Sequence, residues 1–326
     1  MAHRVKIDPR RLLDLLSVAR HGSFSAAAAA RNVSQPGLSR SIALLEREVG
    51  TALLERGRHG ARLNAMGQAL IFHAEALDAL LGRAREDMQL RAMGVEGTIR
   101  IGVTPITAAG IVPRALEFLV QSAPNVQVSI TEGLDSEIAD LLRRGHLDIL
   151  VSRIGVGPDF PDLAQEALFM SDWTLIMRVG HPLSRCASVR LSDLKDARWV
   201  LPAGGSAFRQ QMERVFAATD FGWPARSIST NSILSIKAIV METDYVSLMA
   251  RSLVEVEVEA GRLKAVALAD IGSQRPVGLT WRRNEKLPPV AARLVDILRR
   301  VAREEGSPSA PSRPRASRQK ARRGRR

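Results

Sequence analysis

The feature that most constrains this chain is a change of period near residue 95. Before it, apolar residues recur at helical steps; after it, short strand-like runs alternate with helical ones. Two such textures cannot close into a single bundle or a single sheet, so an α+β multidomain fold is expected. The 326 residues suffice for two or three cores.

The first part reads as helices in quick succession. Asp8 before Pro9 predicts an N-cap with proline in the first turn, and Leu12, Leu13, Leu15, Leu16 and Ala19 make an apolar stripe ending near His21-Gly22. Ser25 is expected to cap a second helix over 26–31, whose alanines have no bulk and let a neighbour approach closely. Ser34 is placed to cap a third over 35–49, with Pro36 tolerated where first-turn amides lack partners. In that helix Leu38, Ile42, Leu45 and Val49 share one face, and Gln35, Ser39, Arg40 and Arg47 fall outside it. Two helices in a tight turn, the second carrying Gln, Ser and Arg outward near its start, form the arrangement that lays a helix in the DNA major groove. Arg56-Gly57-Arg58-His59-Gly60-Ala61-Arg62 then reads as a hairpin wing whose arginines reach phosphates or a minor groove.

Asn64 caps a proline-free stretch to residue 93, with Leu70, Ala74, Leu77, Leu81, Ala84 and Met88 on a heptad-like stripe. At ~1.5 Å per residue that helix spans about 40 Å, more than a small helical domain covers, so the stripe is expected to pair with a second copy. From Thr98 the pattern predicts strands over 98–104, 126–131 and 147–153 with helices over 111–120 and 136–144, a βαβαβ order implying a parallel sheet. A second series has strands over 173–178, 199–201, 227–230 and 245–249 and helices over 208–218, 232–241 and 252–260. A last strand, 277–281, and helix, 290–302, close the body.

Charge follows the same division. Residues 1–94 hold 14 Lys/Arg against 9 Asp/Glu, residues 95–305 hold 25 against 25, and residues 306–326 hold 8 against none. A neutral body between basic ends fits one module that meets a polyanion joined to one that does not. The tail, rich in Ser, Pro and Arg, is expected to be disordered, its role open between DNA adhesion and an inert extension. No run approaches the ~20 apolar residues of a membrane span, and Met1 to Lys6 leads into no export signal, so a cytoplasmic location is expected. Cys186 is the only cysteine, which excludes an internal disulfide and thiolate metal clusters; no metal and no cofactor are expected. No phosphate loop or nucleophile elbow occurs. The nearest thing to a catalytic dyad, His146-Leu147-Asp148, sits at a helix-to-strand turn, so no enzyme is expected.

The runs Ser23-Phe24-Ser25-Ala26-Ala27-Ala28, Val33-Ser34-Gln35-Pro36-Gly37-Leu38-Ser39-Arg40-Ser41-Ile42, Leu44-Leu45-Glu46 and Val49-Gly50 closely resemble the DNA-binding domain of LysR-type transcriptional regulators. Leu53-Leu54-Glu55-Arg56, Arg62-Leu63 and Gly67-Gln68-Ala69-Leu70 extend the likeness. Ile101-Gly102, Leu147-Asp148, Gly180-His181-Pro182-Leu183 and Ala260-Gly261-Arg262-Leu263 carry it to the end of the body. Leu54 stands where the family usually has Phe, and Asn64 where it usually has Thr. The resemblance implies a winged helix-turn-helix over 1–64, a linker and dimerisation helix over 65–94, and a periplasmic-binding-protein-like α/β effector domain over 95–305. Its lobe I would comprise 95–165 and 268–304 and its lobe II 166–267, with the tail at 306–326. It implies an allosteric regulator that binds an interrupted dyad in double-stranded DNA as a homodimer or homotetramer. A small molecule would bind between the lobes, and RNA polymerase is a further implied partner. The rival reading is a small-molecule-binding protein without a sequence-specific DNA role.

Gln35, Pro36, Ser39 and Arg40 are the candidates for base edges, since Gln matches adenine, Arg matches guanine and the proline ring can meet a thymine methyl. Ser34, Arg56, Arg58 and Arg62 suit phosphates or the minor groove, Ser34 being alternatively only a cap. For the effector, Thr104 and Thr131 close parallel strands at the ends where open α/β sheets bind ligands, and Ser206 follows Gly204-Gly205 at the start of a helix. Thr107 and Ser152 are further candidates, each hydroxyl alternatively a cap or turn residue. A carboxylate-bearing effector is expected: an organic acid, an aromatic acid or a sugar acid.

Overall fold

The computed structural model describes residues 7–305 apart from 58–59, 156–159, 205–206, 218, 220 and 271–274. Helices α1 (Pro9–His21), α2 (Phe24–Ala30) and α3 (Gln35–Val49) precede a hairpin, β1 (Leu54–Gly57) and β2 (Gly60–Leu63), and a long helix, α4 (Ala65–Ala92). Asp8 caps α1, and Gly22 closes it in the left-handed region. The cap of α2 is Ser23, not Ser25: the Ser23 hydroxyl accepts from the Ala26 amide at 3.2 Å, and Ser25 lies inside the helix. Only Ser23 has the extended backbone a cap needs, because the chain is still leaving the Gly22 turn there. Leu15, Ala27, Leu38, Ile42, Leu53 and Ile71 anchor one shared core of these elements. The hairpin docks through Gly60, where a Cβ would overlap the Gly22 carbonyl oxygen that accepts the Ala61 amide at 2.9 Å.

Beyond α4 the chain builds β3 (Gly97–Val103), α5 (Pro105–Ala109), α6 (Ile111–Ser122), β4 (Val126–Glu132), α7 (Asp135–Arg143), β5 (Ile149–Arg153) and β6 (Leu163–Ser171). It crosses to β7 (Trp173–Arg178), β8 (Ser188–Val189), β9 (Arg198–Pro202), α8 (Ala207–Ala217), β10 (Ser227–Thr230), α9 (Ile233–Glu242), β11 (Tyr245–Ala250), α10 (Glu255–Glu259) and β12 (Leu263–Leu268). It returns through β13 (Arg275–Arg282) and α11 (Pro289–Glu305). The first sheet has the order β4-β3-β5-β13-β6 and the second β10-β9-β11-β7-β12-β8. In the first, β4, β3 and β5 are parallel, as βαβ connections require, and β13 runs antiparallel to both of its neighbours, β5 and β6. Sequence periodicity missed α5, β6, β8 and β12. Because β6 pairs with β13 along its whole length, the first sheet extends to Ser171 and does not end at residue 165.

Helix α4 is shared between the two bodies. Ile71 and Ala74 complete the N-terminal core, and Asp78 pairs with Arg20 at 2.9 Å. On an adjoining face, Phe72 lies 5.2 and 5.1 Å from the guanidiniums of Arg143 and Arg144, Glu75 pairs with Arg144 at 3.4 Å, and Arg83 pairs with Asp148 at 3.0 Å. Gly145 sits at φ +75 beside α4, where an added Cβ would come to ordinary van der Waals distance of Ala76 and Ala79. The expected pairing stripe is therefore split. Leu70 and Ala74 serve the N-terminal core, while Leu80, Leu81 and Met88 are exposed. Among the described residues, no helix is long and apolar enough to cross a membrane.

Candidate DNA interface and effector cleft

The outward side of α3 is presented by a helix held firmly from behind. Ser34 caps it, its Oγ accepting from the Gly37 amide at 3.2 Å. Gln35, Pro36 and Arg40 are exposed, and Ser39 is half-buried. Behind them Asp14 accepts from Ser41 Oγ at 2.6 Å and from Arg31 Nε at 3.0 Å, and Arg11 pairs with Glu48. Glu46 accepts the Leu53 amide at 2.9 Å and so fixes the start of the hairpin. Arg62 is exposed on β2. Among the described residues Gln35, Arg40 and Arg62 make no side-chain hydrogen bond or ion pair. Arg56 pairs with Ala61 in the hairpin ladder, while its side chain and all of Arg58 lie outside the described residues. Sequence reasoning missed Asp14 and Glu46, whose partners are set by helix packing and by the α3–β1 turn, not by any local period.

The second candidate site lies at the carboxyl edge of the parallel strands. Val103 is in register with Glu132 on one side and Val151 on the other, so Thr104, Gly133–Asp135 and Ser152–Arg153 share that edge. Thr104 is 7% exposed, and its Oγ1 is buried without a partner among the described residues. Thr107 requires a correction. It is 1% exposed, its hydroxyl donates to the Val151 carbonyl at 2.5 Å and accepts the Thr104 amide at 3.2 Å, so it braces α5 against β5 and offers nothing to a ligand. Ser152 is buried and donates to the Arg153 carbonyl at 3.2 Å. Thr131 is half-buried near the end of β4, and Ser206 lies outside the described residues.

Across this edge the two sheets touch. Ile106 of α5 belongs to the same apolar cluster as Ile176, Val200 and Met249 of the second sheet. Arg153 reaches over as well, its guanidinium 5.3 Å from the Phe208 ring. Asp135, absent from the sequence candidates, has a buried Oδ1 with no partner among the described residues. Burial pushes its carboxyl above the usual range, partly opposed by the nearby charge of Arg153.

A model of the bacterial regulatory helix-turn-helix protein, lysR family, matches residues 9–68, and a model of the LysR substrate binding domain matches residues 92–303. The chain belongs to the LysR family. The SDS degradation transcriptional activation protein of Pseudomonas sp. (strain ATCC 19151) is 33% identical over 289 residues, covering 87% of this chain and 93% of that one. Full-length CbnR, solved in complex with its target DNA, is 24% identical with a TM-score of 0.59, covering 90% of this chain and all of that one. The effector binding domain of BenM, solved with its effector benzoate, is 22% identical with a TM-score of 0.57, covering 67% of this chain and 97% of that one. Both structures are similar in fold. As a LysR-family member, this chain is a DNA-binding transcriptional regulator in which a helix-turn-helix is joined to an effector-binding domain.

Asp148 accepts from Arg83 and, at 2.8 Å, from the Arg100 amide, so its carboxylate is occupied in holding α4 to the first sheet, while His146 is exposed.

Proposed function

We propose that this regulator reads an interrupted dyad through Gln35, Pro36, Ser39 and Arg40 at base edges, with Ser34, Arg56, Arg58 and Arg62 on phosphates or the minor groove. The observation that carries this reading is that Gln35 and Arg40 stand exposed and unpaired on a helix whose other face is buried and clamped by Asp14 and Glu46. Phosphate contacts weaken binding to every sequence alike, and base contacts weaken it at one position. Gel-shift titrations should therefore show Arg62→Ala lowering affinity for all duplexes and Arg40→Ala losing discrimination at a single base pair. Unchanged binding by both variants removes the assignment.

We read the functional units as 1–64, 65–94, 95–305 and the tail 306–326. The chain acts without enzymatic chemistry, in the cytoplasm, and RNA polymerase is the partner that receives its signal. The exposed Leu80, Leu81 and Met88 support pairing of two α4 helices into a homodimer, and two dimers would make the homotetramer that spans and bends an interrupted site. Light scattering that finds only monomers at micromolar concentration removes this step. A carboxylate-bearing effector would bind at the inter-lobe edge near Thr104, Thr131, Ser152 and Ser206, and would shift the assembly by favouring one arrangement of the lobes. BenM, whose domain was solved with benzoate, supports the small-acid class.

A further inference from the structure

The most basic stretch of the chain serves neither site described above. Residues 306–326 hold 8 Lys/Arg and no Asp/Glu, whereas residues 95–305, to which they are joined, hold 25 of each sign. For solubility acidic residues serve better than basic ones, and a surplus of cations brings affinity for nucleic acid. The segment lies outside the described residues, but its root is placed. Helix α11 starts where Val290 packs beside Gly97, on the edge of the first sheet that α4 holds through Asp87 and Thr98. It ends where Glu304 pairs with Arg114, in the first turn of α6, at 3.8 Å. The 17 residues of α11 cover about 25 Å, so the segment leaves the body from the edge opposite α4. From Glu305 to Arg323 the chain can extend to roughly 60 Å, which frees its cations from the lobe that carries them.

The kind of cation and its spacing narrow the partner. All but one of these cations are arginines, the exception being Lys320. A guanidinium is more weakly hydrated than an ammonium, and it is the group that enters a narrow minor groove, where the negative potential of A·T-rich duplex is enhanced. Duplex RNA, whose minor groove is wide and shallow, offers no such slot. Arginines flank a single residue twice, in Arg313-Pro314-Arg315 and in Arg323-Gly324-Arg325. Gly324 has no Cβ to hold the backbone off a groove floor. Pro314 ends a series with Pro308 and Pro311 in which proline returns at every third position, a spacing that favours an extended chain. The two arginine pairs are centred ten positions apart, which in an extended chain is about 31–34 Å, close to one turn of B-form duplex. Both can therefore enter the same groove on successive turns, whereas phosphates alone would be served as well by lysines in any order.

We propose that residues 306–326 are a second DNA-binding element, independent of α3, whose Arg313/Arg315 and Arg323/Arg325 pairs insert into the minor groove of A·T-rich duplex. The arm adds affinity wherever such sequence adjoins a site, and it holds the regulator on DNA where α3 has no site to read.

The test uses the full-length protein and two duplexes of equal length and arbitrary sequence, one A·T-rich and one G·C-rich, titrated by fluorescence anisotropy over a range of salt. Wild type is expected to bind the A·T-rich duplex about tenfold more tightly, and netropsin, a ligand of the A·T minor groove, to abolish that preference. Replacing the four arginines by lysine (Arg313→Lys, Arg315→Lys, Arg323→Lys and Arg325→Lys together) should keep the salt dependence and lose the preference. Alanine at the same positions should also reduce the slope of log affinity against log salt by about 3–4. A wild type without the preference, or a preference that survives the lysine replacements, overturns the minor-groove assignment. A slope that the alanine replacements leave unchanged means an inert extension and overturns the proposal as a whole, as does tighter binding to duplex RNA than to DNA of the same length. Arg40→Ala, expected to leave the A·T preference intact, keeps a failure here separate from a failure of the α3 reading.

Discussion

Arg83 of α4 and Asp148, in the turn ahead of β5, are joined at 3.0 Å, with the Asp148 side chain only 2% exposed. The other carboxylate oxygen accepts the Arg100 amide, and Arg100 pairs with Glu86 of α4. These contacts fix the first sheet along the same helix whose opening turns complete the N-terminal core. These side chains are the contacts that join the first sheet to α4, whose opening turns pack with the elements that present α3.

Removing Arg83 should strand a buried carboxylate. Arg83→Met is expected to destabilise the protein by about 3 kcal/mol, and Arg83→Met with Asp148→Leu by distinctly less, since replacing both charges avoids the stranded one. Urea denaturation of both variants measures this, and a single-variant loss below about 1 kcal/mol would mean the pair is dispensable.

Gly60 admits no side chain without moving the hairpin. Its φ is +112, and an added Cβ meets the Gly22 carbonyl oxygen. Gly60→Val should cost about 2 kcal/mol or more in the N-terminal domain and lower affinity for all duplexes, because the arginines of the hairpin lose their placement. Wild-type salt dependence in that variant would contradict the docking role.

Asp14 touches no DNA candidate directly, yet it holds Arg31 and Ser41 on either side of the turn between α2 and α3. Asp14→Ala should cost about 1–2 kcal/mol of stability and reduce operator affinity. Asp14→Asn, which can still accept from Ser41, should recover part of both. Anisotropy titrations alongside thermal melts separate the two effects.

Arg299 ties α11 to β6 through Glu166, at 2.6 and 2.9 Å. Its hydrogen bond and charge hold the Glu166 carboxyl below the ordinary glutamate range, against a smaller effect of burial. A depressed folded-state value means that this contribution is present above the ordinary range and is lost as pH falls through the depressed value. The stability gap between wild type and Glu166→Gln should therefore be widest at neutral pH and close in acid. Both side chains are about a third exposed, so the gap should be small and should narrow further with salt. A gap that grows on acidification would reverse the sign argued here.

Legibility differed between the two sites for a physical reason. The outward placement of Gln35 and Arg40 follows from the 3.6-residue period of α3, because a residue on the face opposite Leu38, Ile42 and Leu45 has nowhere to go but outward. The position of Thr104 directly after β3 was legible because a strand's end is visible in its sequence. Thr107, three positions later and chemically alike, was misread because the Val151 carbonyl that consumes its hydroxyl lies 44 residues away. Ser25 and Ser23 differ only in backbone angles set by the preceding turn.

Local order was written in the residues alone: most of the helices, the point where the period changes to alternating strand and helix, the polar face of α3, and the location of the basic charge. Those properties depend on neighbours a few positions apart, which the chain carries wherever it goes. Long-range packing, by contrast, put β6 in the first sheet, gave Asp148 to Arg83 and not to His146, and brought Asp135, Arg153 and Phe208 to the edge where the two sheets meet. Such pairings are chosen by register and by burial between distant segments, and a carboxylate in a sequence looks the same whether folding will leave it in water, give it a partner, or bury it with none.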